Sequence, residues 1–172
     1  MATKISVIIP TYAPKDYLWE CLGSLENQTL SKDEFEVILV LNGEREPYES
    51  LIQKKLPEYS FNSTLLYSTP NGVSRARNLG MDKAQGCYIC FIDDDDWVSD
   101  NYLAELLSNA CDNGIVEANV KDVDEQTREE SEQHFLSRAY KNYQPEKESS
   151  RFANRSFFSS ACCKLLPKNC IN

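Results

Sequence analysis

The chain has 172 residues, 41% of them hydrophobic and 26% charged, with a net charge of −9. That is enough for one domain with a sizeable core. The acidic balance argues against nucleic acid as a partner, since phosphate backbones need compensating Lys and Arg, but a bound metal can reverse the local field and admit a nucleotide.

From the N-terminus, Ile5-Ser6-Val7-Ile8-Ile9 is a β-branched run that stops at Pro10 and reads as a buried strand. Leu18, Cys21, Leu22 and Leu25 recur at helical spacing and predict a helix over 16–28. A second strand spans 35–41 and ends at the turn Asn42-Gly43; a weaker helix covers 48–56 and a third strand 64–68. Asn71-Gly72 opens a helix over 73–84, and the fourth strand occupies 88–92. A helix over 101–113 turns Leu103, Leu106, Leu107 and Ala110 inward and stops at Gly114, before a fifth strand that begins in 115–120. Strands alternating with helices imply an α/β fold with a mainly parallel sheet, whose ligands bind outside the carboxyl ends of the strands.

Composition shifts after Val120. Residues 121–150 hold eight acidic and five basic residues and few aliphatics, which predicts a solvated helix plus loop or partial disorder. His134 lies in this stretch and reads as a solvated residue. Apolar character returns at Phe152, Phe157 and Phe158, which read as core closure ahead of an interface, and at Ala161-Cys162-Cys163-Lys164-Leu165-Leu166. No apolar run approaches the ~20 residues that span a bilayer, and no signal-peptide pattern precedes the first strand. The expected location is therefore cytoplasmic, with peripheral membrane association and homodimerisation left open. The seven cysteines are an odd number and read as buried hydrophobes or reduced surface thiols. Cys87 and Cys90 are three apart in a strand-like run, on opposite faces, which argues against a shared zinc site.

The run Asp93-Asp94-Asp95-Asp96 directly follows the apolar Cys87-Tyr88-Ile89-Cys90-Phe91-Ile92. Four adjacent like charges repel, and Asp favours neither helix nor strand. Taken alone the run could be a solvated turn. Its place at the carboxyl end of a buried strand, with Trp97-Val98 behind it, instead suggests a hard divalent metal tied to a phosphate-bearing substrate. The first strand lacks the glycines of a Rossmann phosphate loop, and the chain has no P-loop, so a metal is the expected source of charge for a diphosphate.

Five segments in order resemble family 2 glycosyltransferases of the GT-A fold. They are Ser6-Val7-Ile8-Ile9-Pro10-Thr11-Tyr12, Cys21-Leu22-Gly23-Ser24-Leu25-Glu26-Asn27-Gln28-Thr29, Glu36-Val37-Ile38-Leu39-Val40-Leu41-Asn42-Gly43, Asn71-Gly72-Val73-Ser74-Arg75-Ala76-Arg77-Asn78-Leu79-Gly80, and 84–96 with its aspartates. The resemblance implies that Pro10, Thr11 and Tyr12 line a nucleotide pocket. Asn42 stands where the family usually has an Asp that binds the uracil edge, and Leu41 replaces an acidic neighbour. Arg75, Arg77 and Asn78 would face ribose and phosphate. The family's D-x-D maps to Asp93-Asp94-Asp95, with Asp95 on manganese or magnesium, Asp93 on the ribose or a metal-bound water, and Asp94 at the substrate. Asp96 would support them or cap the next turn, and Trp97 would anchor the core. The implied reaction moves a sugar from a nucleotide-diphosphate donor, UDP in the first instance, to a saccharide acceptor in polysaccharide synthesis. Residues 1–120 would bind the donor and 121–172 would begin the acceptor side of the same domain. Residues 160–166 resemble what precedes the family's base motif, so the chain is expected to end before its general base. Two alternatives stand beside this reading: a non-catalytic sugar-nucleotide-binding fragment, and a metal-dependent phosphatase or nucleotidyltransferase.

Overall fold

Aliphatic and β-branched residues fill both faces of the first two strands, as strands covered on both sides require. β1 (Ile5–Thr11) and β2 (Phe35–Leu41) are buried along their whole length. The computed structural model describes residues 2–124, 126–142 and 161–171. Between and after these strands come α1 (Asp16–Glu26), α2 (Tyr48–Lys55), β3 (Asn62–Tyr67), α3 (Val73–Lys83), β4 (Tyr88–Phe91) and α4 (Tyr102–Ser108). The chain continues through β5 (Val116–Glu117), β6 (Asp122–Val123), β7 (Glu130–Ser131), α5 (Phe135–Asn142) and β8 (Lys164–Pro167).

The main sheet runs β3-β2-β1-β4-β8-β5. β3, β2, β1 and β4 are mutually parallel, whereas β8 is antiparallel to both β4 and β5. Odd-numbered residues of β1 and β2 pack with α1, α2 and α4 through Leu18, Leu22, Ile52 and Leu103. Even-numbered ones, Ile8, Ile38 and Val40, pack with Ala76 of α3. The result is a three-layer α/β/α sandwich, with each buried aliphatic side chain contributing roughly 1.5–3 kcal/mol.

Two features open the site. The β1–β4 ladder spans only Ile5 to Ile8, while β1 stays paired with β2 as far as Thr11. Pro10, which was expected to end the strand, sits inside it beyond the β4 ladder. The two strands therefore part at their carboxyl ends, between β1 and β4, where the strand order reverses. This is the switch point at which open α/β sheets bind ligands.

The C-terminal part departs from expectation. The fifth strand is only two residues long and lies at the sheet edge. The place beside β4 belongs to β8, a strand that the short segment Lys164–Pro167 did not announce. The described part of the polar stretch holds the expected helix, α5, and adds the β6–β7 hairpin. Phe152, Phe157 and Phe158 lie outside the described residues. Cys87 is exposed and Cys90 buried, on opposite faces as their spacing implied.

Candidate active site

Thr11 ends β1 with 1% of its surface exposed, and its hydroxyl donates to Asp94 Oδ2 at 2.5 Å. This bond bridges the gap between β1 and β4. Asn42, 5% exposed at the end of β2, is clipped to the same residue: its backbone N–H and its Nδ2 both donate to the Thr11 carbonyl, at 2.9 and 3.0 Å. Gly43 follows because nothing larger fits; a Cβ there would lie 2.1 Å from the Tyr12 carbonyl oxygen. Tyr12 itself is 57% exposed at the mouth, and Tyr67 closes the far side by donating to the Gly43 carbonyl at 3.1 Å. Pro10, Thr11, Tyr12, Asn42 and Asp94 thus gather at one edge.

Arg77 reaches the aspartates from α3. Its guanidinium donates to Asp93 Oδ1 at 2.6 Å and touches Cys162 Sγ at 3.7 Å, above the Phe91 ring. Its buried Nε has no hydrogen-bond partner. Gly72, at φ +144°, turns the chain into this helix in a conformation that L side chains rarely adopt. Residues two apart on a helix point to opposite sides, and α3 separates the expected trio accordingly. Arg75 and Asn78, both exposed, line a shallow depression of about 360 Å³ with Tyr67, Ser68 and Asp82. They do not join Arg77 at the aspartates.

Beyond residues 93–96 lies a cavity of about 990 Å³, walled by Tyr17 and Glu20 of α1, Asp93, Asp95, Asp96 and Trp97, the β6–β7 hairpin, His134 and Phe135, and Cys162-Cys163. The aspartates divide it from the edge that holds Thr11 and Asn42. Burial pushes the Asp94 carboxyl above its ordinary value, the Thr11 hydrogen bond pulls it back, and Asp95 and Asp93 raise it further. Asp96 opens onto the cavity but is crowded by protein. Lost hydration and its three acidic neighbours push it up to about 6, against an opposing pull from His134.

A helix-to-helix tie fixes the loop that carries these groups. Gln28, 5% exposed, donates from Nε2 to the carbonyls of Ser99 at 2.7 Å and Ser24 at 3.1 Å, and its Oε1 accepts from Leu103 N at 2.8 Å. Thr29 N donates to Asp100 O at 2.7 Å. Sequence reasoning quoted Gln28 within a segment without giving it a role; a polar residue on the buried side of an amphipathic helix was the available signal.

Residues 6–168 match the family described as Glycosyl transferase family 2. The chain belongs to that family. It is 34% identical over 103 residues to glycosyltransferase GlyA of Streptococcus pneumoniae, covering 60% of this chain and 14% of GlyA. Against the poly(ribitol-phosphate) β-N-acetylglucosaminyltransferase TarS of Staphylococcus aureus it is 30% identical over 102 residues, 59% of this chain and 18% of TarS. The chain therefore spans less than a fifth of the length of these two relatives. The structure of TarS 1–349 with UDP-GlcNAc superposes with a TM-score of 0.56 at 30% identity, over 62% of this chain and 30% of that one. The Pyrobaculum calidifontis mannosyltransferase PcManGT, solved with GDP-Man and Mn²⁺, shares the fold at a TM-score of 0.62 and 24% identity, over 71% of this chain and 36% of that one. With the mixed sheet and its flanking helices, these matches identify the GT-A fold. They favour a glycosyltransferase over a phosphatase or nucleotidyltransferase.

The donor chemistry of the family 2 site fits a hard cation. Asp95 is exposed, and Asp93 keeps Oδ2 clear of Arg77. No group of three His, Cys, Asp or Glu side chains converges among the described residues. One or two carboxylates are what magnesium takes from protein when a substrate phosphate supplies further oxygens. Two residues stand elsewhere than expected. Trp97 is 44% exposed and lines the cavity instead of anchoring the core, because the chain leaves the sheet at the aspartates and carries it outward. His134 is half-buried on the cavity wall, where its Nδ1 accepts the Leu136 N–H at 3.2 Å. No described helix is long and apolar enough to cross a membrane.

Proposed function

We propose that this chain binds a UDP-sugar across the carboxyl ends of its parallel strands and passes the sugar to a saccharide acceptor in polysaccharide synthesis. The observation that carries this is the Thr11–Asp94 hydrogen bond, which builds a carboxylate edge at the sheet's switch point. Asn42 spends one N–H of its side-chain amide on the Thr11 carbonyl and keeps its Oδ1 and its second N–H for a ligand. An acceptor there matches the imide N–H of uracil, so Asn does the work of the family's usual Asp. Pro10 and Tyr12 flank the base. Arg77 holds Asp93 in place, and its buried Nε keeps an unspent N–H beside it.

In the reaction the acceptor oxygen attacks the anomeric carbon from the face opposite UDP. The bond from that carbon to the phosphate oxygen breaks, UDP leaves, and the acceptor's proton passes to a general base. Asp95 and Asp93 would hold manganese or magnesium, whose positive charge would stabilise the departing diphosphate. The UDP-GlcNAc complex of TarS supports the donor class.

Calorimetric titration of UDP, with and without manganese, tests the proposal on the wild-type chain and on Asp95→Ala. Binding that needs manganese and is lost in the variant is the expected result. Failure of UDP to bind in every condition would overturn the reading.

A further inference from the structure

We propose, resting on the transferase reading above, that the cavity behind the aspartates receives an uncharged saccharide and rejects phosphate-bearing acceptors. Three observations carry this. The first is size: about 990 Å³ is at the upper end of ligand pockets, which run to roughly 300–1,000 Å³, and leaves room for more than one sugar ring. The second is the aromatic surface. Trp97 is 44% exposed and Phe135 49% exposed, and both line the cavity with Tyr17. A pyranose has an apolar face of C–H groups and a rim of hydroxyls; the face covers an aromatic ring while the hydroxyls meet polar groups at its edge.

The third is charge. The basic side chains of the described wall, Lys121 and Arg128, are both matched, Lys121 by Glu130 and Arg128 by Glu20 at 2.9 Å. Asp93 is matched by Arg77. Asp95, Asp96 and Asp122 also line the cavity, and no ion pair offsets them among the described residues. A cation at Asp95 does not change the sign, because the diphosphate it holds brings negative charge of its own. Ionised carboxylates only accept hydrogen bonds, so this wall suits sugar hydroxyls, which donate, and repels phosphates, which do not. The acceptor therefore differs in class from the poly(ribitol-phosphate) in the name of TarS. Trp97, directly after the aspartates, is the specificity-determining platform.

The chain has two tryptophans, so Trp19→Phe leaves Trp97 as the sole reporter of the cavity. This variant is titrated at low ionic strength with a mixture of neutral hexose and N-acetylhexosamine oligosaccharides, and separately with poly(ribitol phosphate). Each titration is run with and without UDP and manganese. The expected result is a Trp97 emission change with the neutral mixture and none with the phosphate polymer. Trp97→Ala in the otherwise native chain should weaken binding of the neutral mixture about tenfold by ligand-observed NMR. A response to the phosphate polymer overturns the proposal, as does silence toward the neutral mixture while UDP still binds by calorimetry; both outcomes leave the donor reading standing. If UDP does not bind but neutral sugars still change Trp97 emission, the donor reading fails and the saccharide cavity stands.

Discussion

Four consecutive carboxylates oppose folding at neutral pH, and Asp96 shows how. Its ordinary value near 3.8 is pushed to about 6 in the folded chain. Folding therefore favours the protonated acid, and stability falls as pH rises through that window. Asp96→Asn should raise the melting temperature at pH 7.5, by a stabilisation on the order of 1 kcal/mol once screening by the open cavity is counted. The gain should vanish below about pH 4, where the unfolded chain also carries the proton. Melting curves at both pH values test this; an equal gain at pH 4 would mean that charge is not the cause. At Thr11 the sign is reversed. Its hydroxyl lowers the proton affinity of Asp94, so Thr11→Val should shift manganese-dependent UDP binding to higher pH. Loss of a hydrogen bond to a charged group, about 1.5–3 kcal/mol, should weaken that binding ten- to hundredfold. Unchanged affinity and pH profile in calorimetry would remove Thr11 from the site. The aspartates were legible in the sequence because a charge run behind an apolar strand has no folding rationale. The Thr11–Asp94 bond was not, since it joins residues 83 apart. Trp97 was misread because an aromatic residue beside a strand ordinarily packs inward, and only the path of the loop decides otherwise.

At the scale of elements, legibility followed the range of the interactions involved. β1 to β4 and α1 to α4 could be read because apolar period and turn residues are local signals. β8 could not, because its four residues become a strand only through pairing with Tyr88, Ile89 and Cys90 far back in the chain. Leu165 is 1% exposed within it and joins the larger core cluster. Leu165→Ala should cost about 2–5 kcal/mol in urea denaturation, and a cost below 1 kcal/mol would mean that β8 is dispensable to the sheet. The α1–α4 tie has the same character. Gln28 reads locally as a polar residue at a helix end, yet its side chain serves the Ser24 carbonyl of α1, the Ser99 carbonyl of the loop behind the aspartates and the Leu103 N–H of α4. Gln28→Leu would leave those groups buried without partners, at about 2–4 kcal/mol. It should also weaken UDP binding, because the aspartate loop loses its anchor; a variant as stable and as competent as wild type would refute that role.

For the whole molecule, the net charge of −9 and the crowded aspartates mean that a cation and a diphosphate each improve the other's binding. The cation offsets carboxylates whose proton affinity is raised first by burial and further by their acidic neighbours. A diphosphate brought alone would add to that repulsion. Binding of both should therefore be coupled, and coupling appears in folding stability because ligands that bind only the native state raise it by RT ln(1 + [L]/Kd). The melting temperature with manganese and UDP together should exceed the sum of the two separate shifts. At 100 times the coupled dissociation constant the stabilisation is about 2.7 kcal/mol, a shift of roughly 5–11 °C for a domain of this size. Asp95→Ala should abolish the excess while retaining whatever shift UDP gives by itself. Magnesium should substitute for manganese, since carboxylate and phosphate oxygens suit both. Thermal melts over a two-by-two design of metal and nucleotide, in wild type and Asp95→Ala, measure the excess directly. Strictly additive shifts in the wild type would mean that cation and nucleotide occupy independent sites, and the carboxylate edge at the end of β4 would then lose its role in holding the diphosphate.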